Sequence, residues 1–225
     1  MTGVSADYHD YVFRNGAFVG DFEGMYRHSA AVPWHQDETA YDVFSEIGLA
    51  ILRKQRYRTI CDVGCGLGYF TARCRRELEH PAGGRPTVTG LGISETAVTK
   101  ARRRFPEIRF LTGNILAPAL PVTETFDLVL AKDLMWYVCA QLDEVLGRLT
   151  RLTGQTLYIG QSFPDTQPWV GQDVLSCPDD LLGRVAAFAD VKYACIERDN
   201  DFGGRPYIHL LAAPRPRESG RPGWS

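Results

Sequence analysis

The chain of 225 residues has the length of one globular domain with a modest extension. Its apolar fraction of 44% and aromatic fraction of 11% suffice for a sizeable core and exclude disorder over most of the length. A formal charge of -2 gives no indication of a nucleic acid partner, and no apolar run is long enough to span a membrane, so we expect a cytoplasmic protein.

The cysteines indicate no metal site. They are Cys61, Cys65, Cys74, Cys139, Cys177 and Cys195. None forms a C-x2-C pair, and the C-x3-C pair of Cys61 and Cys65 has no third ligand at a zinc or iron–sulfur spacing. We therefore expect free thiols in a reducing compartment and no bound metal.

Strand-like and helix-like segments alternate from Thr59 onward, a pattern typical of a parallel sheet with helices on both faces. The predicted parallel strands are 59–63, 87–93, 108–113, 126–131 and 156–163. The predicted helices are 69–79, 95–105, 140–152 and 178–188. Two final strands, 191–197 and 207–213, flank a short loop and should form an antiparallel hairpin. The sequence thus predicts an α/β, Rossmann-like fold of five parallel strands closed by that hairpin.

Two regions lie outside this predicted core of residues 57–213. Residues 1–56 form an N-terminal cap, with a hairpin turning at Asn15 and Gly16 and two helical stretches separated by Pro33. Residues 214–225 are rich in Pro, Arg and Gly, so we expect a disordered tail.

A glycine-rich turn directly follows the first core strand and opens a helix. Its glycines are Gly64, Gly66 and Gly68, preceded by Asp62. Without Cβ atoms, such a turn lets the backbone approach a ligand closely. A dinucleotide site would need G-x-G-x-x-G, and here the third glycine comes one residue early, which disfavours NAD and FAD.

The segment DVGCGLGYFT resembles motif I of class I methyltransferases that use S-adenosylmethionine (SAM). The resemblance implies that the amino-acid part of SAM is held by this motif. The implied residues are Asp62, Gly64, Cys65, Gly66 and Gly68. A glycine turn with no ligand is the alternative interpretation.

The segment VTGLGISETAV resembles the family's second-strand motif, whose terminal acid binds the ribose hydroxyls. Gly92 stands at that position in this chain. The resemblance therefore implies that Ser94, Glu95 or water binds the ribose in place of an acid.

The segment LTGNI resembles the family's "GD" motif, in which an aspartate accepts from the adenine amino group. Asn114 stands at that position, and its amide oxygen can accept the same hydrogen bond. The resemblance further implies that Ile93 and Ile115 flank the adenine as apolar walls.

The segment FDLVLAKDLMWYV resembles the fourth-strand motif, which implies that Asp133, Trp136 and Tyr137 face the transfer site. Asp133 is the first candidate to contact a substrate amine or hydroxyl, with a helix-capping role as the alternative. His28 and His35 are candidate bases near neutral pH, although a surface position is the simpler interpretation of each.

Further candidates for contacts with substrate lie in the cap and at the end of the fifth strand. Tyr26, Trp34 and Tyr137 are candidate pocket walls, with core packing as the alternative, and Gln161 is a candidate hydrogen-bond partner. His209, within an apolar strand, is interpreted as a core histidine.

The segment VPWHQDETAYDVF resembles the "DPW…YE" segment of small bacterial methyltransferases related to the nodulation N-methyltransferase, with Val32 replacing the usual acid. That group acts on amino groups of sugars and related small molecules. The leading hypothesis is therefore methyl transfer from SAM to an amine or hydroxyl of a small molecule, an aminosugar or a natural-product intermediate. The alternatives are a cyclase or decarboxylase, which Gly92 keeps open, and a non-catalytic binding protein. We expect a monomer or homodimer with no membrane or nucleic acid partner.

Overall fold

The fold is built on a seven-stranded sheet, which the computed structural model describes within residues 7–38, 42–164, 169–199 and 203–216. Its strands are β3 (Thr59–Val63), β4 (Thr87–Gly92), β5 (Arg109–Thr112), β6 (Phe126–Lys132), β7 (Thr153–Ser162), β8 (Ala189–Arg198) and β9 (Pro206–Pro214). The order across the sheet is β5-β4-β3-β6-β7-β9-β8. Strands β3 to β7 are parallel, and β9 is antiparallel to both β7 and β8. The predicted architecture is confirmed.

Helices cover both faces of this sheet. They are α3 (Val43–Leu52), α4 (Tyr69–Glu77), α5 (Glu95–Arg104), α6 (Leu142–Leu152) and α7 (Pro178–Phe188). Buried residues such as Leu49, Phe70 and Val98 join α3, α4 and α5 to one face, and Leu149 and Val185 join α6 and α7 to the other. None of the described helices has the length and apolar character needed to cross a membrane.

Local sequence signals account for several helix ends. The Ser94 side chain caps α5 by accepting from the Ala97 N–H at 3.1 Å, and the helix ends shortly before Pro106. Helix α7 starts with Pro178, where a missing N–H costs nothing. Strand β7 begins at Thr153, three residues earlier than predicted, because α6 passes into it without a loop.

The cap consists of short elements that pack at the carboxyl ends of the parallel strands. They are α1 (His9–Val12), β1 (Phe13–Arg14), β2 (Ala17–Phe18), α2 (Phe22–His28) and a 3-10 segment (Pro33–Glu38). Asn15 and Gly16 have φ angles of 51° and 74°, the left-handed pair that a tight hairpin turn requires. The predicted hairpin is therefore present, although each of its strands has only two residues.

Helix α3 belongs with the core, although the sequence division placed it in the cap. Its residues Leu49, Ile51 and Leu52 are at most 5% exposed and pack against the sheet. The cap proper is thus residues 7–38 of the described chain. Of the tail predicted to be disordered, residues 217–225 lie outside the described residues.

Candidate functional site

The glycine turn joins β3 to α4 in a conformation that side chains resist. Gly64, Gly66 and Gly68 have φ angles of 87°, 53° and 80°, in the left-handed region that favours glycine. A Cβ on Gly68 would lie 2.6 Å from the Phe110 ring, so this glycine allows α4 to pack on the sheet. A Cβ on Gly66 would lie 2.4 Å from Oε1 of Gln36, so this glycine lets a cap side chain reach the turn.

Asp62, the residue that precedes this turn, is a buried acid. It is 4% exposed and accepts a hydrogen bond of 2.5 Å from the Thr71 hydroxyl on α4. Burial raises the pKa of the Asp62 carboxyl to about 6, although the Thr71 hydrogen bond and the Lys132 ammonium lower it. A buried carboxyl that costs stability near neutral pH is typical of a functional site.

The end of β4, where Gly92 replaces the ribose-binding acid of the family motif, is contacted by a glutamate from the cap. Glu23 on α2 accepts from the Ser94 hydroxyl at 2.6 Å and from the Thr96 N–H at 3.1 Å. The hydrogen bonds from Ser94 and Thr96 hold the pKa of Glu23 at about 2. The Ser94 hydroxyl, proposed from the sequence to hold ribose, thus already donates to Glu23. Gly92 beside it is buried.

The candidate adenine-binding residues differ in accessibility. Ile93 is 51% exposed, whereas Ile115 is 6% exposed within the main core cluster. Only Ile93 therefore offers an open apolar surface. Asn114 is exposed, and its Oδ1 accepts from the Leu116 N–H at 2.9 Å, which leaves one lone pair of that oxygen for a ligand.

Asp133 is held in a strained conformation just after β6. Its φ of 52° is left-handed, its N–H donates to the Gly160 carbonyl at 2.7 Å, and its Oδ1 accepts from the Ser162 N–H at 3.4 Å. The Lys132 ammonium lies 2.7 Å from its Oδ2. Left-handed non-glycine residues cost energy and cluster at functional sites, so this geometry supports a functional role.

Lys132 and Tyr207 complete a partly buried group of polar side chains around Asp133. The Lys132 side chain is 17% exposed and lies 3.5 Å from Asp42 at the start of α3. Burial alone would lower the pKa of Lys132, but the charges of Asp133 and Asp42 outweigh it and raise that pKa. Tyr207 is 1% exposed, and its hydroxyl makes no well-formed hydrogen bond to any described residue. Burial first, then the nearby Asp133 and Asp42 charges, raise the pKa of Tyr207.

Aromatic side chains of the cap gather around Tyr137, which follows β6. The Tyr137 ring centre lies 5.0 Å from that of Phe22 and 5.8 Å from that of Trp34. The rings of Trp34 and Tyr26 are 6.4 Å apart. The structure therefore brings together the three predicted wall residues and adds Phe22.

Trp136 and Gln161 are placed away from this aromatic group. The Trp136 ring packs edge-on against Phe163 at 5.3 Å. Gln161 is fully buried, accepts from the Met135 N–H at 2.9 Å and donates to the Ser162 carbonyl at 3.2 Å. Both polar ends of Gln161 are used within the protein, so it supports the turn after β6 rather than a substrate, which corrects the sequence-based assignment.

The two candidate base histidines lie on the outside of the cap. His28 is exposed, with its ring centre 6.2 Å from that of Tyr11. The His35 side chain is 71% exposed and its Nδ1 lies 3.3 Å from a Glu38 oxygen. A base in a methyl-transfer site works where water is excluded, so these positions argue against both assignments.

Sequence reasoning missed five residues that shape the site. They are Glu23, Gln36, Asp42, Lys132 and Tyr207. Only Lys132 carried a usable signal, because a lysine at the end of a buried strand needs an acidic partner. The others lie in segments whose position over the strand ends depends on tertiary packing.

Comparisons with known proteins agree with this geometry. Residues 60–155 match the family model described as "Methyltransferase domain". Among solved structures, the N-methyltransferase NodS from Bradyrhizobium japonicum, in complex with S-adenosyl-L-homocysteine (SAH), is 15% identical, with a TM-score of 0.62 over 82% of this chain and 93% of that one. The [4+2]-cyclase SpnF is 16% identical, with a TM-score of 0.62 over 80% of this chain and 83% of that one.

A third solved structure is the geranyl diphosphate C-methyltransferase from Streptomyces coelicolor in complex with Mg²⁺, geranyl diphosphate and SAH. It is 15% identical, with a TM-score of 0.58 over 82% of this chain and 89% of that one. At these identities the structural likeness shows the fold. A comparison of the sequence with curated proteins gives no significant match.

Residues 60–155, which include the glycine turn, thus form a methyltransferase domain, and the fold around it is shared with solved methyltransferase structures. The residues present suit the cofactor, since Gly64, Gly66 and Gly68 carry no Cβ that would prevent close approach to the turn, and Asp62 keeps a carboxyl beside it. The chain accordingly carries a methyltransferase domain, and the glycine turn of that domain suits S-adenosylmethionine.

Proposed function

We propose that this methyltransferase acts on an amino group of a small molecule, with a hydroxyl as the second choice of acceptor. The observation that carries the proposal is the carboxylate of Asp133, held by the Lys132 ammonium in a left-handed backbone at the end of β6. Aromatic rings that include Tyr137 and Trp34 gather beside this strand end. A carboxylate beside aromatic faces suits a cationic amine.

The cover that the cap forms over the glycine turn also favours a small acceptor. The cap packs directly on the glycine turn through the cluster that contains Tyr26, Met25 and Leu67. Such a cover excludes water around a small ligand. An aminosugar or a natural-product amine fits this description.

The reaction is an in-line displacement in which the acceptor nitrogen takes the methyl group and the sulfur takes the electron pair of the broken bond. Bound SAM supplies the activated methyl group. Asp133 would accept the proton of the acceptor ammonium, and Lys132 fixes the direction of that carboxylate. The Tyr207 hydroxyl would donate to a polar group of the acceptor, and the aromatic rings would hold the acceptor in line.

Matched acceptors test the proposal. Purified protein with SAM would be offered glucosamine, N-acetylglucosamine and glucose, followed by a wider set of amines with their acetylated counterparts. Mass spectrometry would detect SAH and a product heavier by one methylene. We expect turnover of free amines and none of their acetylated counterparts.

Asp133→Asn should lower the rate of amine methylation by about 100-fold or more, because the proton acceptor is lost while asparagine still tolerates the left-handed backbone. Asp127→Asn, at a distant strand position, is the control and should keep the rate. Methylation of hydroxyls alone, or an Asp133→Asn variant as active as wild type, would contradict the proposal.

A reaction other than methyl transfer is the second candidate. It is favoured by Gly92 at the position of the ribose-binding acid and by the structural likeness to a [4+2]-cyclase. Product formation without SAH release would identify it.

A further inference from the structure

Two cap side chains meet directly above the glycine turn. Oε1 of Gln36 accepts from the Leu67 N–H at 2.8 Å, and Nε2 of Gln36 donates to the Tyr26 hydroxyl at 2.8 Å. A Cβ on Gly66 would lie 2.4 Å from Oε1 of Gln36 and 2.9 Å from the Tyr26 hydroxyl oxygen. Gln36 and Tyr26 therefore contact the turn at the place where Gly66 carries no Cβ.

The backbone that carries Gln36 is strained. Trp34 and His35, the two residues before it, have φ angles of 52° and 49°. A left-handed backbone is unfavourable for residues other than glycine, and packing of the Trp34 ring against Tyr26 and Tyr137 helps to offset that strain. Strain of this kind persists at ligand clamps and switch segments.

Each of these two side chains has a hydrogen-bond donor that is not used within the protein. The Gln36 amide has a second N–H hydrogen, and the Tyr26 hydroxyl, which accepts from Gln36, retains its own hydrogen. Among the residues that the structure describes, none accepts a hydrogen bond from the Tyr26 hydroxyl. Tyr26 is 6% exposed, and burial raises the pKa of its hydroxyl, so it remains a donor at physiological pH.

We propose that Gln36 and Tyr26 form a clamp for the amino-acid end of SAM, in which their two free donors bind its carboxylate. The clamp contacts the glycine turn at Leu67, whereas the nucleoside would extend toward the open face of Ile93. Tyr26 is thereby reassigned from the acceptor wall to the cofactor. The inference concerns cofactor binding and holds for any acceptor.

Two ligands distinguish binding of the amino-acid end of the cofactor from binding of its nucleoside. SAH carries the carboxylate, whereas 5′-methylthioadenosine has the same nucleoside and a thioether but no amino-acid end. Both would be titrated calorimetrically into the wild type, Gln36→Ala, Gln36→Glu and Tyr26→Phe. Gln172→Ala, an exposed glutamine away from the turn, is the matched control.

Gln36→Ala and Tyr26→Phe should each weaken SAH about tenfold, because each removes a hydrogen bond to a charged group. Gln36→Glu should weaken SAH further, since it places two carboxylates together. The affinity for 5′-methylthioadenosine should stay within about twofold in all variants that keep the wild-type circular dichroism spectrum. Tyr26→Phe retains the ring, so it tests the clamp even where Gln36 variants misfold.

Equal losses for both ligands, or no loss for SAH, would overturn the clamp and leave the methyltransferase assignment intact. A wild-type protein that binds neither ligand would overturn both the clamp and the cofactor assignment. These outcomes separate a failure of the clamp from a failure of the assigned enzyme class.

Discussion

Replacement of Asp62 by Asn should stabilise the protein while weakening its cofactor site. Burial raises the pKa of this carboxyl from 3.8 to about 6. The native state therefore binds more protons than the unfolded chain between about pH 4 and pH 6, and the free energy of unfolding falls as pH rises through that window. The full penalty above pH 6 is about 3 kcal/mol, which Asn does not incur.

The measurement is urea denaturation of wild type and Asp62→Asn at several pH values. The variant's advantage in unfolding free energy should grow by about 2 kcal/mol between pH 4.5 and pH 7.5. Acids with lowered pKa values, such as Glu23 and Glu77, contribute equally to both proteins and cancel in the difference.

Thr71→Val is the opposing variant. It removes the hydrogen bond that partly stabilises the charged form of Asp62, so it should lower stability at pH 7.5 more than at pH 4.5. If the difference in unfolding free energy between wild type and Asp62→Asn is constant with pH, burial does not raise the pKa of Asp62. Calorimetry should also show weaker SAH binding by Asp62→Asn.

Two further variants test the supports of the site by urea denaturation. Gln161→Ala leaves a buried backbone N–H unpaired and should cost about 3 kcal/mol, whereas the exposed Gln155→Ala should cost under about 0.5 kcal/mol. A cost for Gln161→Ala no larger than that of Gln155→Ala would contradict its supporting role. Lys132→Met leaves two partly exposed carboxylates without their cation and should cost about 1–3 kcal/mol, against under about 0.5 kcal/mol for the exposed Lys192→Met. Equal, small costs for both lysine variants would show that the ammonium does not hold those carboxylates.

Much of the fold was predictable because its signals are local. Apolar strands alternate with helices, Ser94 caps α5 as its position before the helix indicates, and Asn15 with Gly16 forms the predicted turn. The division between cap and core was less accurate. The sequence division assigned helix α3 to the cap because it precedes the first core strand, yet its apolar face is buried against the sheet.

The cofactor motif could also be predicted from the sequence, since one turn of the backbone requires Gly64, Gly66 and Gly68. The polar partners of that turn could not be predicted from the sequence. Glu23 and Ser94 are 71 positions apart, and Gln36 and Leu67 are 31 apart, so no local pattern joins them.

Backbone preferences and apolar periodicity act over a few neighbouring residues, so the sequence alone indicates the order of strands and helices along the chain and the strand that carries the glycine turn. The class of cofactor was indicated by the resemblance to motif I. The tertiary structure, in contrast, brings particular polar groups together at the strand ends. It buried Gln161, exposed His28 and His35, and joined Lys132 to Asp133 and Asp42. Those pairings depend on how the cap and α3 pack over the sheet, and the buried charges are stable only where that packing supplies their partners.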